Sequence, residues 1–589
     1  MNGRPRRWTH GPSFEEGGVR FRLWAPSQER VSLALEGRSS TILMEPRDGG
    51  FFEIFVEGIG AGSLYRFELS DGERVPDPAS RFQPKDVHGP SETIDHDAYR
   101  WRARWPGLAW DDVVLYELHL GAFTPEGSFA GAARKLDHLV ELGVTAVEIM
   151  PVADFRGRWG WGYDGVYPYA PDATYGRPED FKSFVDQAHS RGIAVVLDVV
   201  YNHFGPEGNY LSSYAPNFFT ARHRTPWGEA IDFDGPDARP VRDFMIENAE
   251  YWIDAFRLDG LRLDAVHSIK DDSRPDIVDE LGARLRSRSG RAIHLLLENE
   301  NNEPQRLVRY QRKPLLYTAQ WNDDLHHVLH VAATHERSSY YADYGDTKLL
   351  ARALAEGFAY QGELSSHREA PRGGPSADLP PGAFVAFIQN HDQIGNRAFG
   401  ERLSVLASPA AMRALASVYL LLPQTPMLFM GEEWAAAQPF PFFCDFDGDL
   451  AESVRGGRRA EFARFPEFAD PEQAATIPDP VAESTFLSAK LDWRGIDLER
   501  LGFYRAALAA RREYVRPLLP EIEHGGQSSI LGDQAVRVVW RSGESRLVLD
   551  ANLSDRGVAF PDAPGVFWRC GETEVEFGPW SVRWSVGAA

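Results

Sequence analysis

The sequence predicts an α/β protein built around a (β/α)₈ TIM barrel, with an all-β domain before the barrel and another after it. Three observations predict this arrangement. Eight apolar strand-like runs alternate with helical stretches from about residue 111, alternating β-type runs fill the first 100 residues, and short β-type runs return near the C-terminus. At 589 residues the chain is too long for one compact core, so several domains are expected.

Residues 1–100 are predicted to form a small N-terminal β-sandwich. The runs VRFRLWAP, VSLALEG, FFEIFVEG and SLYRFELS alternate in polarity and are separated by Gly, Pro and Ser, a pattern typical of short antiparallel strands. The proline-containing stretch VPDPASRFQPKDVHGPS, residues 75–91, then looks like a linker that closes this domain.

Residues 101–514 are predicted to form the barrel. Helical stretches such as EDFKSFVDQAHSRG and DIVDELGARLRSR repeat apolar residues at three- and four-residue spacing. An open doubly wound sheet is the alternative, but no Gly-rich phosphate loop follows the first strand. An irregular segment at about 205–237 is a candidate inserted subdomain after the third strand. The strand runs are VVLYELHLGAF, TAVEIMPV, AVVLDVVYN, GLRLDAVH, IHLLLEN, LLYTAQWN, FVAFIQNHD and PMLFMGEEW.

Residues 515–589 are predicted to form a C-terminal antiparallel β domain. The helix DLERLGFYRAALAARRE, which starts at Asp497, ends the barrel. After it, SILGDQAVRVVWRSG, RLVLDANLS, GVAFPD and SVRWSV are short strand-like runs.

The acidity of the chain disfavours nucleic acid and anionic membranes as partners, because the formal net charge is −23 and the pI is about 5.2. No apolar stretch typical of a signal peptide follows the N-terminus, and no run of about 20 apolar residues could span a membrane. Only Cys444 and Cys570 are present, so a disulfide framework is not expected. We expect a cytoplasmic monomer or weak homo-oligomer that accepts a neutral ligand.

The run GLRLDAVH brings a cation and a carboxylate together. Arg262 and Asp264 are two residues apart, so on a strand they point to the same face. The guanidinium is expected to lower the pKa of Asp264 and keep it ionised. A plain ion pair at a strand end is the alternative for this run alone.

Polar residues cluster at the ends of five predicted strands, which in a barrel face one mouth. Carboxylates from three of these strands, Asp264, Glu298 and Asp392, are therefore expected to converge. By strand the residues are Asp198, Asn202 and His203; Arg262, Asp264 and His267; Glu298; Trp321, Asn322, Asp323 and Asp324; and His391 and Asp392.

Glycosidic bond cleavage is the chemistry that needs such a set, because one carboxylic acid protonates the leaving oxygen while a carboxylate attacks or activates water. Glu298 follows the apolar run HLLL among other acids, which suits an acid of raised pKa. Asp264 beside Arg262 suits the ionised nucleophile. Metal-dependent hydrolysis by the same Asp, His and Asn residues is the alternative, although neither an HExxH motif nor a Cys cluster is present.

The runs DVVYNHFG, GLRLDAVH, LLLEN and IQNHDQ resemble, in this order, four strand-end motifs of the α-amylase superfamily of glycoside hydrolases. The resemblance implies that Asp264 is the nucleophile, Glu298 the general acid/base and Asp392 the third carboxylate, with retention of anomeric configuration. It also implies that Asp392 holds the hydroxyls of the distorted sugar, and that Tyr163, in WGWGYDGVYPYAP, stacks on that sugar. His203, Arg262 and His391 are expected to line that subsite.

Further stretches resemble the trehalose-releasing members of that superfamily, among them TPWGEAIDFDG, QWNDDLHH and QNHDQIGNR. This implies hydrolysis of the α-1,4 bond next to the terminal trehalose unit of maltooligosyl trehalose, without a cofactor. A calcium site near Asn202 stays open, although no metal ligand is assigned. The further substrate-binding residues expected are Asp198, His267, Asn322, Asp323, Asp324, His326, Gln393 and Asn396.

Three alternative functions stay open. A glucan branching enzyme or a related α-glucan-active amylase would use the same carboxylates, and a non-catalytic glucan-binding protein would keep the barrel but should lack one of the three carboxylates. Glu300, in ENENNEP, could also be mistaken for Glu298, which we prefer because it directly follows the apolar run. The N-terminal domain resembles a carbohydrate-binding module, and we expect it to pack against the barrel rather than bind sugar.

Overall fold

The computed structural model describes residues 8–288, 290–462, 470–574 and 576–588. A closed barrel of eight parallel strands forms its centre, with the strands adjacent in chain order as predicted. These strands are β1 Leu115–Leu118, β2 Ala146–Ile149, β3 Ala194–Val199, β4 Gly260–Leu263, β5 His294–Leu297, β6 Ala319–Trp321, β7 Phe384–Ala386 and β8 Thr425–Phe429.

The inner face of the barrel changes from apolar to charged along the strand direction. Alternate strand residues face the interior, and at the lower level these positions are apolar, for example Leu115, Val196 and Leu296. Two residues further along the strands, carboxyl groups take their place. The ionisable residues of this upper layer are Glu117, Glu148, Asp198, Arg262 and Glu298.

Helices cover the outside of the barrel, each burying one apolar face. The first turn of the helix Pro178–Ser190 illustrates why they start where they do, because Pro178 occupies the first helical position and needs no N–H partner. The longer helices are Pro178–Ser190, Ala238–Ala255, Ile277–Arg286, Asp323–Thr334, Thr347–Glu356, Pro409–Tyr419, Gly448–Phe462 and Leu498–Ala510.

Two antiparallel sheets form the N-terminal sandwich, as predicted. The stretch at residues 75–91, which was predicted to be a linker, is largely buried and packs against the barrel. Arg81 donates to the His10 carbonyl oxygen at 2.7 Å and lies over the rings of Tyr169 and Tyr251. The strands are Ser13–Glu15, Gly18–Trp24, Glu45–Arg47 and Phe51–Glu57 in one sheet, and Ser32–Leu35, Ile42–Leu43, Leu64–Glu68, Arg74–Val75 and Ser91–Glu92 in the other.

The segment at 205–237 contains the short helix Leu211–Tyr214 and a hairpin of the strands Phe219–Thr225 and Gly228–Ile231.

The C-terminal part is a five-stranded antiparallel sheet, as predicted. Within the ranges described, no helix is long and apolar enough to cross a membrane. The strands of the C-terminal sheet, in spatial order, are Gln527–Gly532, Ala535–Ser542, Ser545–Asn552, Ser581–Ala588 and Val566–Cys570.

Candidate active site

The guanidinium of Arg262 organises the carboxyl ends of strands β3, β4 and β5. Its Nη1 donates to Asp198 Oδ2 at 2.7 Å and to Asp264 Oδ1 at 2.9 Å, and its Nη2 donates to Glu298 Oε2 at 2.8 Å. The guanidinium is fully buried and lies over the ring of Trp321, with its carbon 4.0 Å from the ring centroid. Three carboxylates from three strands are therefore held on the two outer nitrogens of one cation.

Both carboxylate oxygens of Asp264 are held in place. Oδ1 accepts from Arg262, and Oδ2 accepts from Asn202 Nδ2 at 2.8 Å. Burial and the charge of Glu298 raise the pKa of Asp264 and outweigh Arg262, which acts to lower it. The expectation that Arg262 would hold this pKa low was therefore wrong, because one cation is shared among three carboxylates.

Glu298 sits beside Asp264 with one oxygen tied to the protein. Its Oε2 accepts from Arg262 and, at 2.8 Å, from the backbone N–H of Ala265. The backbone of Ala265 is left-handed at this point, with φ of 38°. Burial and the neighbouring Asp392 raise the pKa of Glu298 against the opposing effect of Arg262, as predicted for an acid.

A buried pair under the third carboxylate was not anticipated. His391 Nδ1 donates to Glu117 Oε1 at 2.5 Å, while its Nε2 lies 3.5 Å from Asp392 Oδ2 and 2.9 Å from the Tyr163 hydroxyl. Although burial acts to lower it, the charges of Asp392 and Glu117 raise the pKa of His391 to about 9. His391 is therefore a cation at neutral pH.

We expect Glu117→Gln to destabilise the protein most at low pH. A histidine whose pKa is raised from 6.5 to about 9 stabilises the fold fully below pH 6.5, and this contribution is lost as the pH rises through about 9. Urea unfolding at several pH values should therefore show a gap in unfolding free energy between the wild type and Glu117→Gln that narrows from pH ~6 to pH ~9. A gap independent of pH would contradict a charged His391.

Tyr163 and His203 each contact a residue that is bonded to Arg262 or to Asp264. The Tyr163 hydroxyl donates to Asp198 Oδ2 at 2.7 Å, and its ring stacks on His391 with the centroids 5.2 Å apart. His203 contacts Asn202 through Nδ1 and lies flat against the indole of Trp227, with centroids 4.2 Å apart and planes at 6°. Trp227 is half exposed at the tip of the inserted hairpin, where its residue type alone did not mark it.

Glu298, rather than Glu300, shares the guanidinium with Asp264. Glu300 lies beyond the end of β5, is half exposed, and forms an ion pair with Arg368. His267 is partly buried at the rim, where its Nδ1 accepts from the Glu300 N–H at 3.3 Å, and burial lowers its pKa. The two glutamates do not share a strand face, because the strand has already ended.

A cavity of about 380 Å³ opens beside Glu298 and Asp392. Three of the predicted substrate-binding residues line it as well: Asp323, Gln393 and Asn396. The side-chain amide of Gln393 donates to Asp323 Oδ1 at 3.0 Å, which joins the ends of β6 and β7. The other wall comes from the segment between β6 and β7. Its His327 ends the run QWNDDLHH, which the sequence had singled out, whereas the remaining residues of this wall were not predicted: Tyr340, Asp343, Tyr344, Ser365, His367, Arg368 and Arg372.

Three predicted sugar contacts lie under the cleft instead of in its wall. Asn322 is fully buried, caps the helix Asp323–Thr334 and donates to the Gly357 carbonyl oxygen at 3.0 Å. Asp324 accepts from the backbone N–H groups of residues 359 and 360 and pairs with Arg372 at 2.7 Å. His326 is also buried, with both ring nitrogens in hydrogen bonds.

Three family models match the chain in the order of its parts. Carbohydrate-binding module 48 (isoamylase N-terminal domain) matches residues 9–82. Alpha amylase, catalytic domain, matches residues 65–224, and a domain of unknown function (DUF3459) matches residues 523–584.

Curated relatives extend the match over most of the chain. Malto-oligosyltrehalose trehalohydrolase of Saccharolobus solfataricus is 42% identical over 513 residues, which are 86% of this chain and 87% of that protein. The protein of the same name from Deinococcus radiodurans is 42% identical over 92% of this chain and 89% of its own length. The chain belongs to the malto-oligosyltrehalose trehalohydrolase family.

Solved structures share the fold of this trehalohydrolase-family chain. A candidate α-amylase from Salmonella typhimurium superposes with a TM-score of 0.93 at 45% identity, covering 98% of this chain and 99% of that one. A pullulanase of Paenibacillus barengoltzii, with a TM-score of 0.70 at 18% identity, shares the fold alone. The 1,4-alpha-glucan branching enzyme GlgB of Vibrio parahaemolyticus is 35% identical over 44% of this chain and 38% of its own length.

This trehalohydrolase-family chain has one group of potential metal ligands within its described residues: His223, Asp234 and Asp272. The group joins the inserted hairpin to the loop after β4, and Asp234 already pairs with Arg222. The side chain of Asn202 is occupied at both ends by Asp264 and His203. The Asn202 side chain therefore holds the Asp264 carboxylate in place.

A larger cavity, of about 640 Å³, lies at the opposite, amino-terminal end of the barrel. Trp110, Thr318 and Gly382 line it just before strands β1, β6 and β7. None of the candidate catalytic residues reaches it. In a barrel enzyme the chemistry belongs to the carboxyl ends of the strands, so the smaller cavity is the relevant one.

Proposed function

We propose that this chain is a retaining glycoside hydrolase that cleaves the α-1,4-glucosidic bond next to the terminal trehalose unit of maltooligosyl trehalose. The products are trehalose and a shortened malto-oligosaccharide. The observation that carries the chemistry is the pair Asp264 and Glu298 on the two outer nitrogens of Arg262. The names of the relatives, at about two-fifths identity over most of both chains, support the trehalose-releasing specificity.

Glu298 acts first, as the general acid. Its Oε2 accepts two hydrogen bonds, so the proton resides on Oε1 and is donated to the glycosidic oxygen as the bond to the trehalose unit breaks. Asp264 attacks the anomeric carbon from the opposite face and forms a covalent glycosyl–enzyme ester. Trehalose leaves with the proton from Glu298.

Water completes the reaction. The Glu298 carboxylate takes a proton from a water molecule, whose oxygen attacks the anomeric carbon and releases Asp264 as a carboxylate. Two inversions at this carbon give net retention. The hydrogen bonds to Arg262 and Asn202 stabilise Asp264 both as the attacking group and as the leaving group.

Asp392 and the two aromatic side chains below it hold the reacting sugar. Asp392 accepts hydrogen bonds from ring hydroxyls; burial raises its pKa, and the cationic His391 beside it opposes that rise. Tyr163 offers a ring face against the same sugar and is fixed by its hydrogen bond to Asp198. The network therefore favours a flattened, positively charged ring in the transition state.

The cavity beside Glu298 is assigned to the trehalose unit. Its polar residues Asp323, Gln393 and Asn396 offer hydrogen bonds to a disaccharide rich in hydroxyl groups. Buried Asp324 sets the position of the opposite wall through Arg372 and two backbone N–H groups. Asp324 is thus assigned to shaping the site without touching the sugar.

Product analysis tests this function. The purified protein is incubated with maltooligosyl trehalose and, in parallel, with a malto-oligosaccharide of equal length. We expect trehalose to accumulate from the first substrate, and turnover of the second to be slower. Equal rates on both substrates without free trehalose would overturn the specificity while leaving a general α-glucan hydrolase.

A glucan branching enzyme is the second candidate, favoured by the partial match to the Vibrio parahaemolyticus enzyme. Both activities pass through the same glycosyl–enzyme and differ in whether water or a sugar hydroxyl accepts the glycosyl group. New α-1,6 bonds in the product mixture, detected by proton NMR or debranching, would decide for it. The presence of Asp264, Glu298 and Asp392 disfavours a non-catalytic glucan-binding protein.

A further inference from the structure

Glu148 is a buried carboxyl group in the barrel that the proposed mechanism does not use. It lies on β2, directly paired with Glu117 on β1, and only 1% of it is exposed. Among the residues that the structure describes, neither of its oxygens has a hydrogen-bond partner. Buried carboxyl groups are normally bonded, so this side chain requires an explanation.

Other orphaned polar atoms share this layer of the barrel. Asp198 Oδ1 and the donors Arg262 Nε and Trp321 Nε1 are also buried without a protein partner. Glu148 on β2 pairs with Val196 on β3, and Asp198 lies two residues after Val196. Both carboxyl groups therefore face the barrel interior, at adjoining levels. Donors and acceptors enclosed together are bridged in proteins by ordered internal water.

The balance of charges around Glu148 determines whether its carboxyl group is protonated. The layer and the catalytic groups above it hold two cations, Arg262 and His391, and more carboxyl groups than these can neutralise. Glu117 pairs with His391 and Asp198 with Arg262, which leaves Glu148 without a cation of its own. A buried carboxyl group in that position takes up a proton, and burial together with the charge of Glu117 raises its pKa well above the usual range.

We propose that Glu148 is a positioning residue: a neutral carboxylic acid that donates, through internal water, to the free oxygen of Asp198 and so fixes the Asp198–Arg262 pair on which Asp264 and Glu298 rest. The inference rests on the proposed glycosidase function of that site. It assigns to Glu148 no contact with the sugar. Its effect passes through the orientation of the Arg262 guanidinium and the charge of Asp198.

Two variants of similar size test the hydrogen bonds. Glu148→Leu removes them, and we expect kcat to fall about 10- to 100-fold with KM changed less than about twofold, because misplaced groups slow the chemical step. The acid limb of the pH profile should also move to higher pH, because Asp198 loses a donor and accepts a proton more readily. Glu148→Gln, which is neutral and still donates, should recover most of the lost kcat and the wild-type limb.

Each result decides. Equal losses in the two variants would mean that Glu148 acts as an anion, and wild-type kinetics in folded Glu148→Leu would mean that it positions nothing. Should Glu148→Leu not fold, the infrared difference spectrum between wild type and Glu148→Gln still tests the state. We expect the band of a protonated carboxylic acid in the wild type, and its absence overturns the proposal. The spectrum is independent of which glucan is cleaved, so it stands even if the trehalose specificity fails.

Discussion

Asp264→Asn is expected to lower kcat at least about 10⁴-fold, because an amide cannot form the covalent glycosyl intermediate. Oligosaccharide affinity should change less than about tenfold, since the replacement is nearly isosteric and Asn202 and Arg262 retain their places. Stopped assays of trehalose release give kcat, and calorimetry with the variant gives the affinity. Asp272→Asn, the same change at an exposed carboxylate in the following loop, is the matched control.

An Asp264→Asn protein with kcat within about tenfold of the wild type would refute the nucleophile assignment. Loss of binding together with activity would instead point to a disturbed site. The control separates these cases from a general effect of removing acidic charge, because Asp272 is outside the cleft network formed by Arg262.

Arg262→Met is expected to lower the free energy of unfolding by about 3–5 kcal/mol at pH ~7, because buried carboxylates lose their shared cation. Activity should be lost as well. The stability deficit should narrow as the pH falls to about 5, since protonated carboxyl groups need no partner and burial already raises the pKa values of Asp198, Asp264 and Glu298.

Urea unfolding at both pH values measures this effect. Arg284→Met, which removes a largely exposed arginine paired with Glu250, is the control and should cost about 1 kcal/mol or less. A deficit in Arg262→Met as small as that of the control, or one that grows on acidification, would contradict the role of Arg262 as the common partner of the three carboxylates.

The barrel and its carboxylates could be predicted because their signals are local. Each of the eight strands is a short apolar run, and the residue that follows it lies at the mouth whatever the rest of the chain does. Arg262 and Asp264 share a face by strand periodicity alone. The convergence of Asp264 and Glu298 then follows from the adjacency of β4 and β5.

The rest depends on contacts between distant segments. Asp323 and Asp324 are neighbours in sequence, yet one lines the cavity and the other is buried under it, because successive helix residues point about 100° apart. Glu117 and Glu148 are single acidic residues within apolar runs. Nothing in the local sequence indicates that Glu117 pairs with His391, or that Glu148 has no hydrogen-bond partner among the described residues.

The second wall of the cavity and the pKa of Asp264 could not be predicted from the sequence, because both depend on residues distant in the chain. The only sign of the wall was the length of the segment between β6 and β7, which exceeds what one crossover helix requires. The pKa prediction considered Arg262 beside Asp264 alone. It was wrong because burial raises this pKa, and because Asp198 and Glu298 share the same guanidinium.

The most direct test of the central claim is to trap the glycosyl–enzyme. Glu298→Gln protein, which cannot activate water efficiently, is incubated with an α-malto-oligosyl fluoride, whose leaving group needs little acid assistance, and is then digested for mass spectrometry. We predict one malto-oligosyl unit attached to the peptide that contains Asp264. A unit attached at Asp198 or Asp392, or inverted product from the wild type with no covalent adduct, would contradict the account.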